Sequence, residues 1–274
     1  MIYIFPQDIV QQHIVQHLSQ PRRGPKCKVA TWELVNAILY KLKTGCQWDM
    51  LPINSLITSN PIGYKAVFHH FRKWIKDGSW ERAFTNFGKT SKHFFDLSTA
   101  QLDGTHSPAK RGGEAVGYQK RKSAKTTNIL LLTDKNGLVV ASEKPEAGNH
   151  HDLYKIEDQL THIFNQMKQQ QIPLDGLFVN ADPGFDAEIV RKVCEKEEVI
   201  LNVKPNKRNR ANLDSDQFFD ELMYEEHFSI ERTNVWMDSL RTLLVRQDTT
   251  SSSWSSWHNI AAIYWKIKHR VLKL

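Results

Sequence analysis

The sequence predicts a protein of the α/β class, in which a small all-helical domain precedes a mixed sheet covered by helices. Two observations predict this. From about residue 94 onward, short apolar runs alternate with amphipathic segments in the order β-β-β-α-β-α-β-α, which is typical of a sheet with helices on its faces. Before that point, the apolar residues recur only at helical spacing. We therefore predict a helical domain over residues 1–92 and an α/β domain over residues 93–274.

The helical domain contains three predicted helices. The first spans residues 31–42 and ends at Gly45, since Gly commonly terminates helices. A loop rich in Pro, Gly and Ser separates it from a second helix at residues 64–76, and a third follows at 80–87. The second helix carries its basic residues mostly outside its apolar face. Three short helices with a basic member resemble a helix-turn-helix module, which binds DNA.

In the α/β domain, short apolar runs indicate strands, and apolar residues three or four positions apart indicate helices. Asn136-Gly137 lies between the second and third runs and is a hairpin signal, because both residues tolerate the positive φ angles of a tight turn. The polar stretch 204–216 predicts a loop. The predicted strands are 100–103, 126–133, 138–142, 177–181 and 199–203, and the predicted helices are 152–168, 187–196 and 231–245.

The composition excludes several classes of protein. The chain of 274 residues is 40% hydrophobic and 24% charged, which is ordinary for a globular protein. It has no apolar run long enough to span a membrane, and its first residues do not form a secretory signal. Cys27, Cys46 and Cys194 form no C-x-x-C pair, which argues against a zinc site or a disulfide framework. We therefore expect a cytoplasmic protein that has no contact with membranes.

Basic charge is concentrated in two regions. Of the net charge of +7, the excess lies in residues 1–99, with 13 basic and 6 acidic residues, and the Gly-rich segment 104–125 has six basic residues and one acidic. Such clusters favour a polyanionic partner, although Lys and Arg also occur on any solvated surface. Arg241 on the last helix could contact DNA or pair with Asp238. The other candidates for DNA contact are Lys65, Arg72, Lys73, Lys76, Lys110, Arg111, Lys120, Arg121 and Lys122.

Three acidic residues occupy positions suited to catalysis. Asp103 and Asp182 each end an apolar run that is predicted to be a strand, and Glu231 opens a predicted helix. They are 79 and 49 residues apart in sequence, so only the fold can bring them together. Carboxylates assembled in this way can hold a pair of hard divalent cations for phosphoryl transfer. Taken singly, each acid is more simply explained as a surface group or a helix cap.

Several histidines close to these acids have two interpretations. His150, His151 and Asp152 resemble a metal-binding cluster, but adjacent side chains point in different directions, so a helix start is the simpler interpretation. His151 and Asp152 remain candidates for the surroundings of the site. His106, three residues after Asp103, has the same ambiguity.

Six sequence words occur in a characteristic order over residues 20–260. Two lie in the helical domain, I-L-Y-K-L-K-T-G-C-Q-W-D-M-L-P and F-R-K-W-I-K-D-G-S-W. Four lie in the α/β domain: D-G-T-H-S-P-A-K-R-G-G-E-A-V-G-Y-Q-K, E-A-G-N-H-H-D, N-A-D-P-G-F-D and I-E-R-T-N-V-W-M-D-S-L-R-T. Together they resemble bacterial DDE transposases of the insertion sequence 5 family, within the insertion sequence 4/5-like superfamily.

The resemblance implies an RNase H-like fold for the α/β domain and the activity of a transposase. It implies Asp103, Asp182 and Glu231 as both catalytic residues and metal ligands, with two Mg²⁺ ions that Mn²⁺ can replace. It implies double-stranded DNA as partner, namely transposon terminal repeats and target DNA, with a homo-oligomer on that DNA in the bacterial nucleoid. The candidates for the surroundings of the metals are His106, His151, Asp152, Tyr224, His227 and Asn234.

Three positions depart from the family pattern. The family often carries a Tyr, then an Arg after two intervening residues, then the catalytic Glu after three more. Here Tyr224 and Glu231 have this spacing, but the middle position is His227. His227 either replaces an Arg that contacts phosphate, and is then charged only when protonated, or faces solvent. Asp238 and Pro183 stand where Lys is common. Two alternatives therefore remain: a decayed transposase that only binds DNA, and an RNase H-like nuclease unrelated to transposition.

Overall fold

The computed structural model describes residues 2–20, 27–206 and 218–274, so most of the predicted loop 204–216 lies outside the described residues. The chain divides into two compact units. A helical unit consists of Met1–Phe87 with Met237–Leu274, and a sheet unit consists of Gly88–Trp236. Residues 237–274 thus group with the N-terminal helices, whereas the predicted domains place them with the sheet. The functional boundary between residues 92 and 93 stays a prediction.

The helical unit is held together by aromatic packing between helices that are distant in sequence. Its helices are α1 (Gln7–His13), α2 (Thr31–Thr44), α3 (Ile53–Leu56), α4 (Tyr64–Lys76), most of α5 (Ser79–Thr90), α10 (Arg241–Leu244) and α11 (Ser251–Lys266). Trp257 of α11 stacks on Phe71 of α4, with ring centroids 4.4 Å apart. Tyr264 of α11 packs against Phe5 near the N-terminus. Helix α11 therefore packs into the core formed by the N-terminal part of the chain.

The predicted helices of this unit are confirmed, and their ends follow the expected signals. Helix α4 has the predicted bounds, and α2 ends at Gly45, which has a left-handed φ of 66°. A side chain at Gly45 would meet the Cβ of Arg241 at 2.9 Å, so only Gly fits here. The short helix α10 therefore lies directly against the end of α2.

The described strands of the sheet unit form one seven-stranded sheet. They are β1 (Ala100–Pro108), β2 (Gly117–Gln119), β3 (Ala124–Asp134), β4 (Val139–Ser142), β5 (Glu146–Ala147), β6 (Phe178–Ala181) and β7 (Ile200–Val203). The order is β2-β3-β1-β6-β7, and β4 and β5 pair with β3. β1 and β3 are antiparallel, whereas β1, β6 and β7 are parallel. An antiparallel half joined at the first strand to a parallel half is the RNase H-like arrangement.

The core of this unit lies between the sheet and two helices. The helices of the sheet unit are α6 (Ile156–Gln169), α7 (Glu188–Lys196), α8 (Glu221–Glu225) and most of α9 (Phe228–Ser239). Phe164 of α6 and Val190 of α7 share one buried cluster with Leu132 of β3 and Val179 of β6. These apolar contacts fix β1 and β6 as neighbours, and so fix the positions of the acids that follow them.

The structure differs from the predicted elements at several places. β1 continues to Pro108, and β2 lies within the Gly-rich segment, where no strand was predicted, because both pair with β3 in polar sequence that carries no apolar signal. Helix α6 begins at Ile156, so the helix start expected at residues 150–152 is wrong. The predicted last helix is interrupted at Leu240. None of the described helices combines the length and the apolar composition needed to cross a membrane.

Candidate active site

Asp103 and Asp182 lie at the point where two parallel strands separate. The last paired residues of β1 and β6 are Leu102 and Ala181, and each Asp comes directly after them. Neighbouring strands are about 4.8 Å apart, so the two carboxylates are close, although they are 79 residues apart in sequence. The hydrophobic core sets this register, because Leu102 and Ala181 are both buried in it.

The carboxylate of Asp103 is held by two donors. The backbone N–H of Gly104 donates to Oδ1 at 2.7 Å, and Nδ2 of Asn234 on α9 approaches Oδ2 at 3.4 Å. Burial, and then the negative charge of Asp182, together raise the pKa of Asp103 to about 6 against the opposing effect of these donors. A buried acid beside a second acid favours its protonated form unless a cation compensates the charge.

Asp182 is bound by a histidine that the family pattern does not contain. Nε2 of His227 lies 3.0 Å from Oδ1 of Asp182, and this hydrogen bond lowers the pKa of Asp182. The His227 side chain is 12% exposed and that of Asp182 is 55% exposed. The ring of Tyr224 stacks on His227 with centroids 5.5 Å apart. Of the two interpretations of His227, the one in which it faces solvent is therefore wrong.

A buried row of amide side chains positions the helix before His227. Gln101 of β1, Asn180 of β6 and Asn202 of β7 are paired neighbours across the sheet and are fully buried. Nδ2 of Asn180 donates to Oε1 of Gln101 and to the carbonyl of Met223 in α8, and Nδ2 of Asn202 donates to Oδ1 of Asn180. Asn202 also exchanges hydrogen bonds with the backbone of Asp220, which caps α8.

These amides were missed by the sequence interpretation, although a signal exists. In Q-L-D and N-A-D, an amide stands two residues before each candidate Asp. Residues two apart on a strand share a face, so the pattern places Gln101 with Asp103 and Asn180 with Asp182. The face that carries the acids is thus polar for at least two positions along each strand.

Helix α9 is attached to the sheet by the hairpin turn at Asn136-Gly137. Oγ1 of Thr233 donates to the carbonyl of Gly137 at 2.6 Å, and Nη2 of Arg232 donates to the carbonyl of Asn136 at 2.9 Å. Gly137 has a φ of 84°, and a Cβ there would meet Thr233 Oγ1 at 2.8 Å. The predicted hairpin turn therefore also holds Asn234 beside Asp103.

Three further predicted residues lie away from the two aspartates: His106 on β1, and His151 and Asp152 in the segment between β5 and α6. His106 is three residues after Asp103 on β1, so its side chain points to the opposite face. Burial and the nearby charge of Lys122 lower the pKa of His106. His151 and Asp152 line one small cavity together, and Asp152 lies against Gly184. Among the described contacts, none joins these three residues to Asp103 or Asp182.

The predicted DNA-contacting residues are exposed or half-buried in the structure. Lys120, Arg121 and Lys122 form a turn between β2 and β3, and Lys122 donates to the carbonyl of His106. Lys110 and Arg111 follow β1 and are exposed. Arg241 belongs to the helical unit and is exposed there. On α4, Lys65, Arg72 and Lys76 are exposed and Lys73 is half-buried.

Residues 102–256 match the family model described as "DDE superfamily endonuclease". This match covers more than half of the chain and includes the two aspartates, Asn180, Asn202 and α9. The chain belongs to the DDE superfamily of endonucleases. Residues 8–84 match a second model, described as "Putative transposase of IS4/5 family". This DDE enzyme is therefore a transposase of the IS4/5 type, as its sequence words indicated.

Solved structures that are similar to this DDE transposase include three of the Mos1 transposase. The paired-end complex with left transposon end has 15% identity and a TM-score of 0.30, over 90% of this chain and 80% of that one. The catalytic domain of Mos1 mariner transposase has 12% identity and a TM-score of 0.31, over 67% and 87%. The paired-end complex with Mn has 14% identity and a TM-score of 0.31, over 91% and 80%. No curated protein matches the chain.

The third acid of the predicted triad has no described contact with the other two. Glu231 is exposed on α9, one turn before Asn234, and no described contact joins it to Asp103 or Asp182. Among the described residues, no three His, Cys, Asp or Glu side chains are close enough to hold one metal ion together. The two aspartates nevertheless fit a hard cation, because carboxylate oxygens are its preferred ligands and because a cation would relieve the repulsion that raises the pKa of Asp103.

Proposed function

We propose that this DDE transposase binds the terminal repeats of an insertion sequence, cleaves them, and joins the freed 3′ ends to target DNA. The observation that carries the proposal is the placement of Asp103 and Asp182 at the adjacent ends of β1 and β6, in a chain whose family is that of the DDE endonucleases. Two carboxylates on rigid neighbouring strands form a site that can hold a divalent ion at a fixed position.

Asp103, Asp182 and Glu231 are the residues that would hold two Mg²⁺ or Mn²⁺ ions. Such ions, when bound, activate a water or a 3′-hydroxyl as nucleophile and stabilise the leaving oxygen of the phosphodiester. The chain's own contribution is to orient the ligands. Gly104 and Asn234 fix the carboxylate of Asp103. His227 binds Oδ1 of Asp182, so that Oδ2 is free of this hydrogen bond and available to a cation.

The proposed partner is double-stranded DNA, with a homo-oligomer of this chain bound to it. The support is the basic charge: the exposed cations of α4 in the helical unit and those of segment 104–125 in the sheet unit. Each phosphate that these groups neutralise releases counterions, so binding should weaken as salt rises, with a slope of about 0.9 per phosphate in a log–log plot. The proposed surroundings of the site are Tyr224, His227 and Asn234, with His106 on β1 and with His151 and Asp152 before α6.

Nicking of a supercoiled plasmid that carries the element's ends tests the proposal. We expect nicking with Mg²⁺ or Mn²⁺ and none in chelator. Asp103→Ala, Asp182→Ala and Glu231→Ala should each reduce it about a thousandfold or more while DNA binding persists, because a lost metal ligand removes several kcal/mol of transition-state stabilisation. Asp175→Ala is the control, since Asp175 is exposed and outside the site.

The same assay separates the proposed activity from its alternatives. A decayed transposase would bind the plasmid without nicking it under any divalent ion. A nuclease unrelated to transposition would nick plasmids with and without the element's ends equally, and would form no joined product. Nicking that persists in chelator, or at the wild-type rate in any of the three variants, would contradict the assignment of these residues.

A further inference from the structure

A basic groove lies between two helices of the helical unit that the sequence assigned to different domains. The groove has a volume of about 760 Å³. On one side it is lined by His69, Arg72, Lys73 and Lys76 of α4, and on the other by Thr250, Ser252 and Ser253 at the start of α11. We call it the α4–α11 groove. Both helices belong to the same compact unit, so the groove is a feature of that unit alone.

The charge of the groove is positive and is not neutralised from within. Among the described residues, Arg72, Lys73 and Lys76 form no ion pair, and Arg72 only packs against the ring of Phe68. The one acid in the lining, Asp77, is already engaged: it accepts hydrogen bonds from Ser79 and pairs with Arg82. A concave surface with several unpaired cations attracts a polyanion more strongly than the same charges would on a flat surface.

The opposite wall adds neutral donors. Thr250, Ser252 and Ser253 line the groove with their hydroxyl-bearing side chains, and Thr250 caps α11 by accepting from the backbone N–H of Ser253. α11 has 16 residues, and the N-terminus of a helix carries partial positive charge that favours phosphate. Cations on one wall and hydroxyl donors on the other are the groups that bind DNA phosphates.

We propose that the α4–α11 groove binds the phosphate backbone of double-stranded DNA, with residues 250–253 contacting the same strand as Arg72, Lys73 and Lys76. The groove is larger than one inorganic phosphate ion requires, which favours a run of phosphodiesters as occupant. The proposal rests on the proposed function, since it names a surface by which the transposase holds its DNA. It adds the start of α11, a segment that no sequence signal assigned to DNA.

Two groove variants and two matched controls test it in the full-length chain. Ser252→Glu places a negative charge in the groove, and Glu in the first turn of a helix does not weaken the helix. Lys76→Gln removes one cation from the opposite wall. Gln11→Glu and Lys43→Gln make the same changes of charge at exposed positions of the helical unit, outside the groove. Binding to a short labelled duplex is measured over a series of salt concentrations.

We expect each groove variant to weaken binding about tenfold and to reduce the log–log salt slope by about 0.9, the value for one lost phosphate contact. The controls should bind within about twofold of the wild type, because screening weakens exposed charges beyond roughly 10 Å. Equal effects of groove variants and controls, or no effect of either, would overturn the proposal. A wild-type chain that binds no duplex at all would instead overturn the proposed function.

Inorganic phosphate distinguishes a second source of the same ligand chemistry. If the groove is a DNA site, phosphate should compete with the duplex only at concentrations where sodium chloride of equal ionic strength does so too. Suppose instead that inorganic phosphate binds the wild type but not Ser252→Glu, while the two proteins bind the duplex equally tightly. The groove is then a site for free phosphate, and the DNA assignment is wrong.

Discussion

Asp103 and Asp182 occupy equivalent positions on neighbouring parallel strands, yet their pKa values are moved in opposite directions. Burial, helped by the charge of Asp182, raises the pKa of Asp103 to about 6, whereas the hydrogen bond from His227 lowers that of Asp182. Two acids whose environments separate their pKa values are typical of catalytic sites. In the metal-free protein near neutral pH, the hydrogen bond from His227 stabilises the charge of Asp182, whereas burial destabilises the charge of Asp103.

Asp103→Asn should therefore stabilise the metal-free protein near neutral pH. The folded pKa of about 6 exceeds the ordinary value of 3.8. The contribution of Asp103 to stability is therefore fully present below pH 3.8 and is lost as the pH rises through 6. The loss is on the order of 2–3 kcal/mol, and Asn does not incur it. Urea unfolding in chelator at about pH 4 and pH 7.5 measures this. A variant that is no more stable than wild type at the higher pH would show that the charge of Asp103 does not destabilise the folded protein.

His227 lies at the position where the family carries Arg, and it binds a candidate metal ligand. His227→Arg should keep a cation beside Asp182 at every pH, because a guanidinium is always protonated, whereas an imidazole is charged only when it is protonated. Metal-dependent nicking by the variant should therefore exceed that of wild type, and the difference should grow as the pH rises. The pH–rate profile of the two proteins is the measurement. Superimposable profiles would mean that the charge at this position does not affect the reaction.

At the scale of elements, the hairpin turn before β4 and helix α9 depend on each other. Gly137→Ala should lower the free energy of unfolding by about 2–3 kcal/mol, from a positive φ and from the displaced Thr233 hydrogen bond. Because α9 carries Asn234 and Glu231, nicking should fall with it. Gly176→Ala is the control: its φ is 71°, but nothing lies within 4 Å of its Cβ, so only about 1 kcal/mol is expected. Equal losses in the two variants would rule out the contact with α9.

At the scale of the whole molecule, the order of the chain does not coincide with its compact units. The helical unit includes α11, whose Trp257 stacks on Phe71 and whose Tyr264 packs on Phe5. Without α11 these rings would face water, and each aromatic ring buried in a core contributes several kcal/mol. The N-terminal helices are therefore expected to need residues 237–274 for their stability.

A chain that ends at Trp236 should thus lose the cooperative unfolding of its N-terminal helices and bind DNA less tightly. A chain that lacks only residues 273–274 is the control, because these are exposed. The sharpness of the thermal unfolding transition, followed by far-ultraviolet circular dichroism, and duplex binding measure the two effects. A truncated chain that unfolds as cooperatively as the wild type and binds the duplex as tightly would show that the first 87 residues fold by themselves.

The sequence by itself determined the local elements and the identity of the family. Helical periodicity placed α4 at its observed bounds, and Asn136-Gly137 marked the hairpin turn, because spacing and turn chemistry are local properties. Apolar runs located β1 and β6, and so the two acids that follow them. The sequence words indicated a DDE transposase, and the family matches agree.

Only the tertiary structure decided which distant residues meet. In the folded chain His227 contacts Asp182, and Asn234 contacts Asp103. The amide side chains of three strands form one hydrogen-bonded row. Among the described contacts none joins Glu231 to either aspartate, and α11 belongs to the helical unit. Such contacts join segments that are tens to hundreds of residues apart, and they depend on how whole elements pack. The periodicity of one segment carries no information about its partner, so these pairings could not be obtained from the sequence pattern.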